Sequence, residues 1–295
     1  MGPLANWIAA SRPKTLPAAI APVLVGSAEA ARQNDIETWP VFICLVFALL
    51  IQIATNMVND YFDYIRGADT EERIGPERLV SSGRILPKAM IRVAVGLFSL
   101  AFFVGLTMVS YRGGEMLIVG IVAIVFGYGY TGGPYPLAYH GLGDVFVVFF
   151  FGIVATVGTY YVIVGEVTSS AFLLGLPLGL LANNILVVNN YRDLETDETA
   201  GKRTLVVRFG RGFARRQYLL QLVTAFLSVS IYLGMTQNFW AALVFLMIPV
   251  GAGLVVALRK TEGVALNQLL EKTAQLLLLF SILLAGGIFL SAIDN

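Results

Sequence analysis

Polar chemistry is scarce in this 295-residue chain, which has one cysteine, one histidine and charged side chains at only 13 % of positions. Each shortage excludes something. Cys44 has no partner for an intrachain disulfide, and His140 alone cannot build a histidine metal site. A formal net charge of +1 provides no basic field for a nucleic-acid partner. Too few charges remain to solvate the surface of a water-soluble domain, since 57 % of the residues are hydrophobic. The glycine-rich segment from Gly127 to Pro136 lacks the Gly-Lys-Ser/Thr of a phosphate-binding P-loop. A cleaved signal sequence is not expected either, because Arg12 and Lys14 follow Trp7 and Ile8 instead of preceding an apolar run.

What the chain does have is long apolar runs. A spanning helix needs roughly 20 mostly apolar residues. The runs predict an all-α, polytopic membrane protein with nine spans, near 16–32, 40–64, 89–109, 115–131, 142–164, 170–191, 214–235, 238–258 and 270–291. We read 1–295 as a single membrane-embedded domain. With a cytoplasmic N-terminus, every one of the 20 Lys and Arg residues except Arg32 and Arg112 falls on the inner side. That is the asymmetry of the positive-inside rule, and it places the C-terminal Asp294-Asn295 outside.

Two connections are long, 65–88 and 192–213, and both fall on the cytoplasmic side. Each follows a helix end rich in Asn and Asp and is itself rich in Arg, Lys and Gly, a pseudo-repeat of an acidic helix end followed by a basic loop. At 3.6 residues per turn, Asn56, Asn59, Asp60 and Asp63 share one helix face. Asn190, Asp193 and Asp197, at i, i+3 and i+7, are expected to form a second stripe. Both stripes lie at helix C-termini, where the macrodipole disfavours a carboxylate by roughly 0.3–1 kcal/mol, so positive charge is required nearby. Carboxylate and amide oxygens suit Mg²⁺, which takes its remaining ligands from phosphates and water. The basic residues Arg66, Arg73, Arg78, Lys202, Arg203 and Arg208, with Arg12 and Lys14 near the first span, are the candidates for gripping a diphosphate. Taken singly, each of these cations is equally well explained as topology-setting charge or lipid contact.

At these residues the chain resembles the UbiA family of intramembrane aromatic prenyltransferases, through Asn59-Asp60-x-x-Asp63 and Asp193-x-x-x-Asp197. Within it, the branch acting on 1,4-dihydroxy-2-naphthoate is the most similar, through Arg12-Pro13-Lys14-Thr15-Leu16, Arg73-Ile74-Gly75-Pro76, Gly141-Leu142-Gly143-Asp144, Asn189-Asn190-x-Arg192-Asp193 and Gly201-Lys202-x-Thr204. The family pattern has a further Asp four residues after Asp63. This chain has Gly67 there, and its nearest acid is Asp69.

The resemblance implies nine helices around a central cavity in a bacterial cytoplasmic membrane, with the active site opening toward the cytoplasm. It implies Mg²⁺ held by Asn59, Asp60, Asp63, Asn190, Asp193 and Asp197, the four aspartates being catalytic. A polyprenyl group would pass from polyprenyl diphosphate to the naphthoate with loss of carbon dioxide, giving demethylmenaquinol for menaquinone biosynthesis. Asn56, Tyr128, Tyr130, Tyr135 and Tyr139 are candidates for contacting the acceptor or shielding an allylic cation, since aromatic faces attract positive charge. For most of these tyrosines an interfacial aromatic belt explains the position as well. His140 is a candidate base or hydrogen-bond donor and Asp144 a candidate for orienting a substrate, although a structural place at the interface is the commoner role for each. Related acceptors such as 4-hydroxybenzoate are the nearest alternative. A transporter would be expected to carry its ionisable residues near the bilayer midplane, whereas here the acids gather at helix ends.

Overall fold

The computed structural model describes residues 2–33, 37–69 and 73–294, and every regular element among them is helical. In chain order these are α1 (Pro3–Ser11), α2 (Pro17–Gln33), α3 (Thr38–Ile65), α4 (Pro87–Arg112), α5 (Gly114–Gly129), α6 (Gly143–Val164), α7 (Ser169–Arg192), α8 (Leu194–Thr199), α9 (Leu205–Thr236), α10 (Phe239–Lys260) and α11 (Gly263–Ile293). Helices satisfy the backbone internally, which lipid cannot do.

Seven of them are long and apolar enough to cross a membrane: α3, α4, α6, α7, α9, α10 and α11. The chain is a multi-pass membrane protein. Among the described residues the expectation of nine full-length spans is met by seven. The two remaining runs form α2, of 17 residues, and α5, of 16, each shorter than the roughly 20 residues a perpendicular crossing takes. In α2 the apolar run is also interrupted by Glu29 and Arg32, which pair with each other, Arg32 Nη2 lying 3.0 Å from Glu29 Oε1. Asn295, expected outside the membrane, lies beyond the described residues.

The bundle is organised around α7, whose apolar window is 72 % buried against 28 % for α4 and α9. Its side chains Leu174, Leu178, Leu181 and Val188 join Tyr218 and Val229 of α9 and Leu277 and Phe280 of α11 in the largest apolar cluster. On another side α7 touches α6 backbone to backbone. A Cβ at Gly179 would stand 2.3 Å from the Val148 carbonyl oxygen, and one at Gly152 would stand 2.6 Å from that of Gly175. Such close approach is how small residues join helices where lipid supplies no hydrophobic drive. The contact coincides with a π-helical stretch, Val148–Val154, a form of helix associated with functional sites.

Two local features depart from the sequence reading. The second acidic stripe is not one continuous helix: α7 ends at Arg192, Asp193 leaves helical geometry at φ −93° and ψ 13°, and α8 starts anew at Leu194. The run expected at 214–235 begins earlier, at Leu205, and is kinked at Gly210, whose φ of 76° favours glycine.

Candidate active site

A cavity of about 310 Å³ opens among α2, α3, α5, α6 and α7. Its body is apolar, with Phe47, Met108, Met116, Phe150 and Val162 on the wall. Its mouth is polar, with Arg12, Asn56, Asn59, Asp63, Arg78, Asn190, Asp197 and Lys202.

At the mouth the first motif splits by facing. Asp63 lines the cavity: its Oδ1 accepts from the Tyr139 hydroxyl at 2.8 Å and lies 3.2 Å from Lys202 Nζ, and its Oδ2 lies 3.1 Å from Arg78 Nη2. Asp60, one helical step away, is not on the wall. Its Oδ2 accepts the Leu79 backbone N–H at 3.2 Å, fastening the 66–86 loop onto α3. Asn59 accepts from the Thr131 hydroxyl at 2.6 Å, and Asn56 donates to the Ser11 carbonyl at 3.0 Å, tying α1 to α3.

The second motif splits in the same way. Asp197 is on the wall, 3.5 Å from Lys202 Nζ, and burial pushes its carboxyl up to about 6 against the pull of that ammonium. Asn190 is buried beside it on the wall. Asp193 turns away and is gripped by Arg192, with Nε–Oδ1 2.7 Å and Nη2–Oδ2 2.6 Å.

Two cations tie the acids together, and one of them, Lys202, joins the motifs. Lys202 contacts both Asp63 and Asp197. Burial alone would lower its pKa, but the two carboxylates outweigh it and hold the ammonium above its ordinary range. Arg73 lies 3.0 Å from Asp69 and 3.7 Å from Asp193. Asp69 also faces Arg78 at 3.4 Å, and burial raises its carboxyl to about 6. Arg12, at a left-handed φ of 52°, is half-buried on the wall, and its pKa is lowered by desolvation although Asp60 counteracts this.

The other candidate cations point elsewhere. Arg66 donates to the carbonyls of Thr131 and Gly133 and lies over the Phe62 and Tyr139 rings. Arg208 donates to the carbonyls of Arg203 and His140. Arg203 is exposed, and Lys14 pairs with Glu271 on the surface. Of the tyrosines, Tyr130 lines the cavity and Tyr139 orients Asp63 and supports Lys202 on its ring face, 5.1 Å away. Tyr128 packs edge-on against Phe62, and Tyr135 is exposed and stacked on His140.

Sequence reasoning passed over Arg192 and Gly75 as working parts. Arg192 is 2 % exposed and also reaches Asn189 and Asn267. A Cβ at position 75 would stand 2.8 Å from Arg192 Nη2 and 2.9 Å from Arg73 Nη2, so a side chain there would push on guanidiniums that Asp193, Asn267 and Asp69 already hold. The Arg73-Ile74-Gly75-Pro76 motif contained the signal, but its meaning depends on a residue more than a hundred positions away.

Among the described residues no three His, Cys, Asp or Glu side chains converge as a metal cluster. The donor set nonetheless fits Mg²⁺ with a diphosphate: Mg²⁺ takes one or two carboxylates and completes its shell from phosphate and water. Buried atoms of both signs are also left without partners, Arg12 Nη2 and Arg78 Nη1 on residues of the wall and Asp60 Oδ1 and Asp69 Oδ2 on residues off it.

This combination, a helical membrane bundle whose apolar cavity ends in paired acids and cations, defines a class, and comparison with known proteins agrees. The profile of the UbiA prenyltransferase family matches residues 19–279, and the chain belongs to that family. It is 34 % identical to the 1,4-dihydroxy-2-naphthoate octaprenyltransferase of Mycobacterium leprae over 99 % of this chain and 98 % of the other. It is also 34 % identical to the Escherichia coli protein of the same description, over 97 % and 95 % of the two chains. In structure it resembles a UbiA homolog from Archaeoglobus fulgidus, at 14 % identity and a TM-score of 0.69, covering 96 % of this chain and 99 % of that one. The same homolog bound to GPP and Mg²⁺ matches with a TM-score of 0.63 at the same identity and coverage.

Proposed function

We propose that this protein transfers a polyprenyl group from polyprenyl diphosphate to 1,4-dihydroxy-2-naphthoate with loss of carbon dioxide, giving demethylmenaquinol in menaquinone biosynthesis. The observation that carries the reading is the cavity itself, apolar along its body and lined by Asp63, Asp197, Arg78 and Lys202 at one end. An allylic diphosphate has the same two-part chemistry. Full-length similarity to naphthoate octaprenyltransferases selects the acceptor.

Asn59, Asp63, Asn190 and Asp197 are the residues on the wall to hold Mg²⁺, with Asp60 and Asp193 supporting them from behind. When bound, the ion supplies positive charge to the diphosphate. Lys202, Arg78 and Arg12 bind the diphosphate oxygens, and Arg73 ties Asp193 to Asp69. Charge that develops on the departing diphosphate as the allylic C–O bond breaks is met by these preorganised cations. Tyr139 holds Asp63 in place, and the Tyr130 ring faces the space where the allylic cation forms. The tail remains in the apolar body, where each methylene withdrawn from water contributes about 0.8 kcal/mol.

In this reading α2 and α5 also cross the bilayer, making nine crossings in a bacterial cytoplasmic membrane. The N-terminus and the polar mouth face the cytoplasm, and the C-terminus lies outside. The test is purified protein given Mg²⁺, a long-chain prenyl diphosphate and either 1,4-dihydroxy-2-naphthoate or 4-hydroxybenzoate. Prenylated product from the naphthoate alone is expected. Product from the benzoate alone moves the protein to another acceptor class, and none from either overturns the reading.

A further inference from the structure

Asp144 is the one carboxylate that the cavity wall carries outside the two acidic motifs among the described residues. It is 6 % exposed and sits in the first turn of α6, where the helix dipole favours negative charge. Its surroundings differ from those of Asp63 and Asp197. No cation faces it. Instead Oδ1 accepts from Asn183 Nδ2 at 3.1 Å and from Gln217 Nε2 at 2.6 Å, so α7 and α9 clamp one oxygen with neutral amides. Among the described residues no side chain takes Oδ2.

The backbone is shaped to bring this group to the wall. Gly141, at φ 75°, turns the chain into α6. A Cβ at Gly143 would stand 2.9 Å from the Tyr130 hydroxyl, so the glycine lets that cavity-lining ring stand against the start of α6, next to Asp144. An acid with no cation beside it is a poor neighbour for diphosphate and a good one for a neutral O–H donor, because a carboxylate only accepts hydrogen bonds.

Resting on the proposed prenyl transfer, we infer that Asp144 binds the aromatic acceptor, accepting a hydrogen bond from a ring hydroxyl and turning the acceptor's own carboxylate away by like-charge repulsion. In 1,4-dihydroxy-2-naphthoate the 1-hydroxyl is engaged by the adjacent carboxylate, so the 4-hydroxyl across the ring is the free donor. It keeps its proton through the reaction. The allylic C–O bond leaves its electron pair on diphosphate, the ring supplies the pair for the new C–C bond, and departing carbon dioxide returns the pair of its own bond to the ring. No proton enters or leaves overall.

The experiment compares wild type with Asp144→Asn in three constants: KM for the naphthoate, KM for the prenyl diphosphate, and Ki for 1-hydroxy-2-naphthoate, which lacks the 4-hydroxyl. A hydrogen bond to a charged group predicts a rise of about tenfold to a hundredfold in the naphthoate KM, with the other two constants unchanged. An unchanged naphthoate KM overturns the inference, as does a parallel shift of all three, which is the mark of a structural role. Should the variant not fold, wild type alone decides: 1-hydroxy-2-naphthoate is expected to bind about tenfold more weakly than the substrate, and equal affinity overturns the assignment. Wild type that makes no product from the naphthoate overturns the functional reading itself, an outcome separate from active wild type with an indifferent variant.

Discussion

The two acidic motifs use the same division of labour by different local means. On α3, an unbroken helix places Asp60 and Asp63 three residues apart, and rotation about the helix sends one to the cavity and the other to the Leu79 N–H. After α7 the helix stops, and the break at Asp193 turns that acid back onto Arg192 while α8 carries Asp197 to the wall. In each motif one aspartate faces the cavity and one fastens protein to protein. The difference lies in what the rear acid secures: a loop backbone in the first motif, a buried guanidinium in the second.

The sharpest way to break that comparison is to remove the front acids. Asp63→Asn and Asp197→Asn are each expected to reduce diphosphate release by about a thousandfold, the upper range for losing one preorganised electrostatic contact. Each substitution leaves its cations one remaining acid, Asp69 for Arg78 and the other front aspartate for Lys202, so the melting temperature in detergent should fall less than for a cation left with none. Asp60→Asn should cost less activity than either. Equal losses at Asp60 and Asp63 would show that facing does not assign the roles.

The rear acid of the second motif should show itself in stability. Arg192 is as buried as its partner, and Asp193→Asn leaves the guanidinium without a compensating charge, a loss of about 3 kcal/mol for a buried pair. Thermal unfolding measures it. Asp60→Asn, which leaves a backbone N–H able to bond the new amide oxygen, should destabilise less, and the reverse order would undo the contrast.

What could be read in advance follows the range of the interactions. Apolar runs and the 3.6-residue period are local, so the helices and the first stripe at Asn56, Asn59, Asp60 and Asp63 were legible. Which of those residues meets the cavity depends on how α3 is rotated against α5 and α7, and nothing in the period specifies it. The break at Asp193 was hidden for a related reason: Asn190, Asp193 and Asp197 keep helical spacing in sequence although the chain re-forms a separate helix. Loop cations were the least legible. Arg66 ends on the carbonyls of Thr131 and Gly133 because the glycine-rich turn after α5 passes beside it, a purely tertiary fact.

Tyr139 tests whether support of a front acid matters on its own. Its hydroxyl is one of three groups on Asp63, and Tyr139→Phe removes that bond while keeping the ring under Lys202. About a tenfold fall in kcat is expected, the lower range for a hydrogen bond to a charged group, with KM for the acceptor unchanged. An unaltered kcat would mean that Arg78 and Lys202 suffice to place the carboxylate.

The smallest effect should come from Lys14, which sequence proximity to Arg12 had grouped with the diphosphate ligands. Two residues apart, the pair behave differently: Arg12 is turned inward by its left-handed backbone and lines the cavity, whereas the Lys14 side chain is 64 % exposed and pairs with Glu271. Exposed ion pairs contribute roughly 0–1 kcal/mol, so Lys14→Ala should change both melting temperature and turnover by little, within about threefold for kcat/KM. Arg12→Ala should cost far more. A large loss at Lys14 in low salt that disappears at high salt would instead assign it to long-range attraction of the anionic substrate, since screening acts on exposed charge and spares the buried mouth.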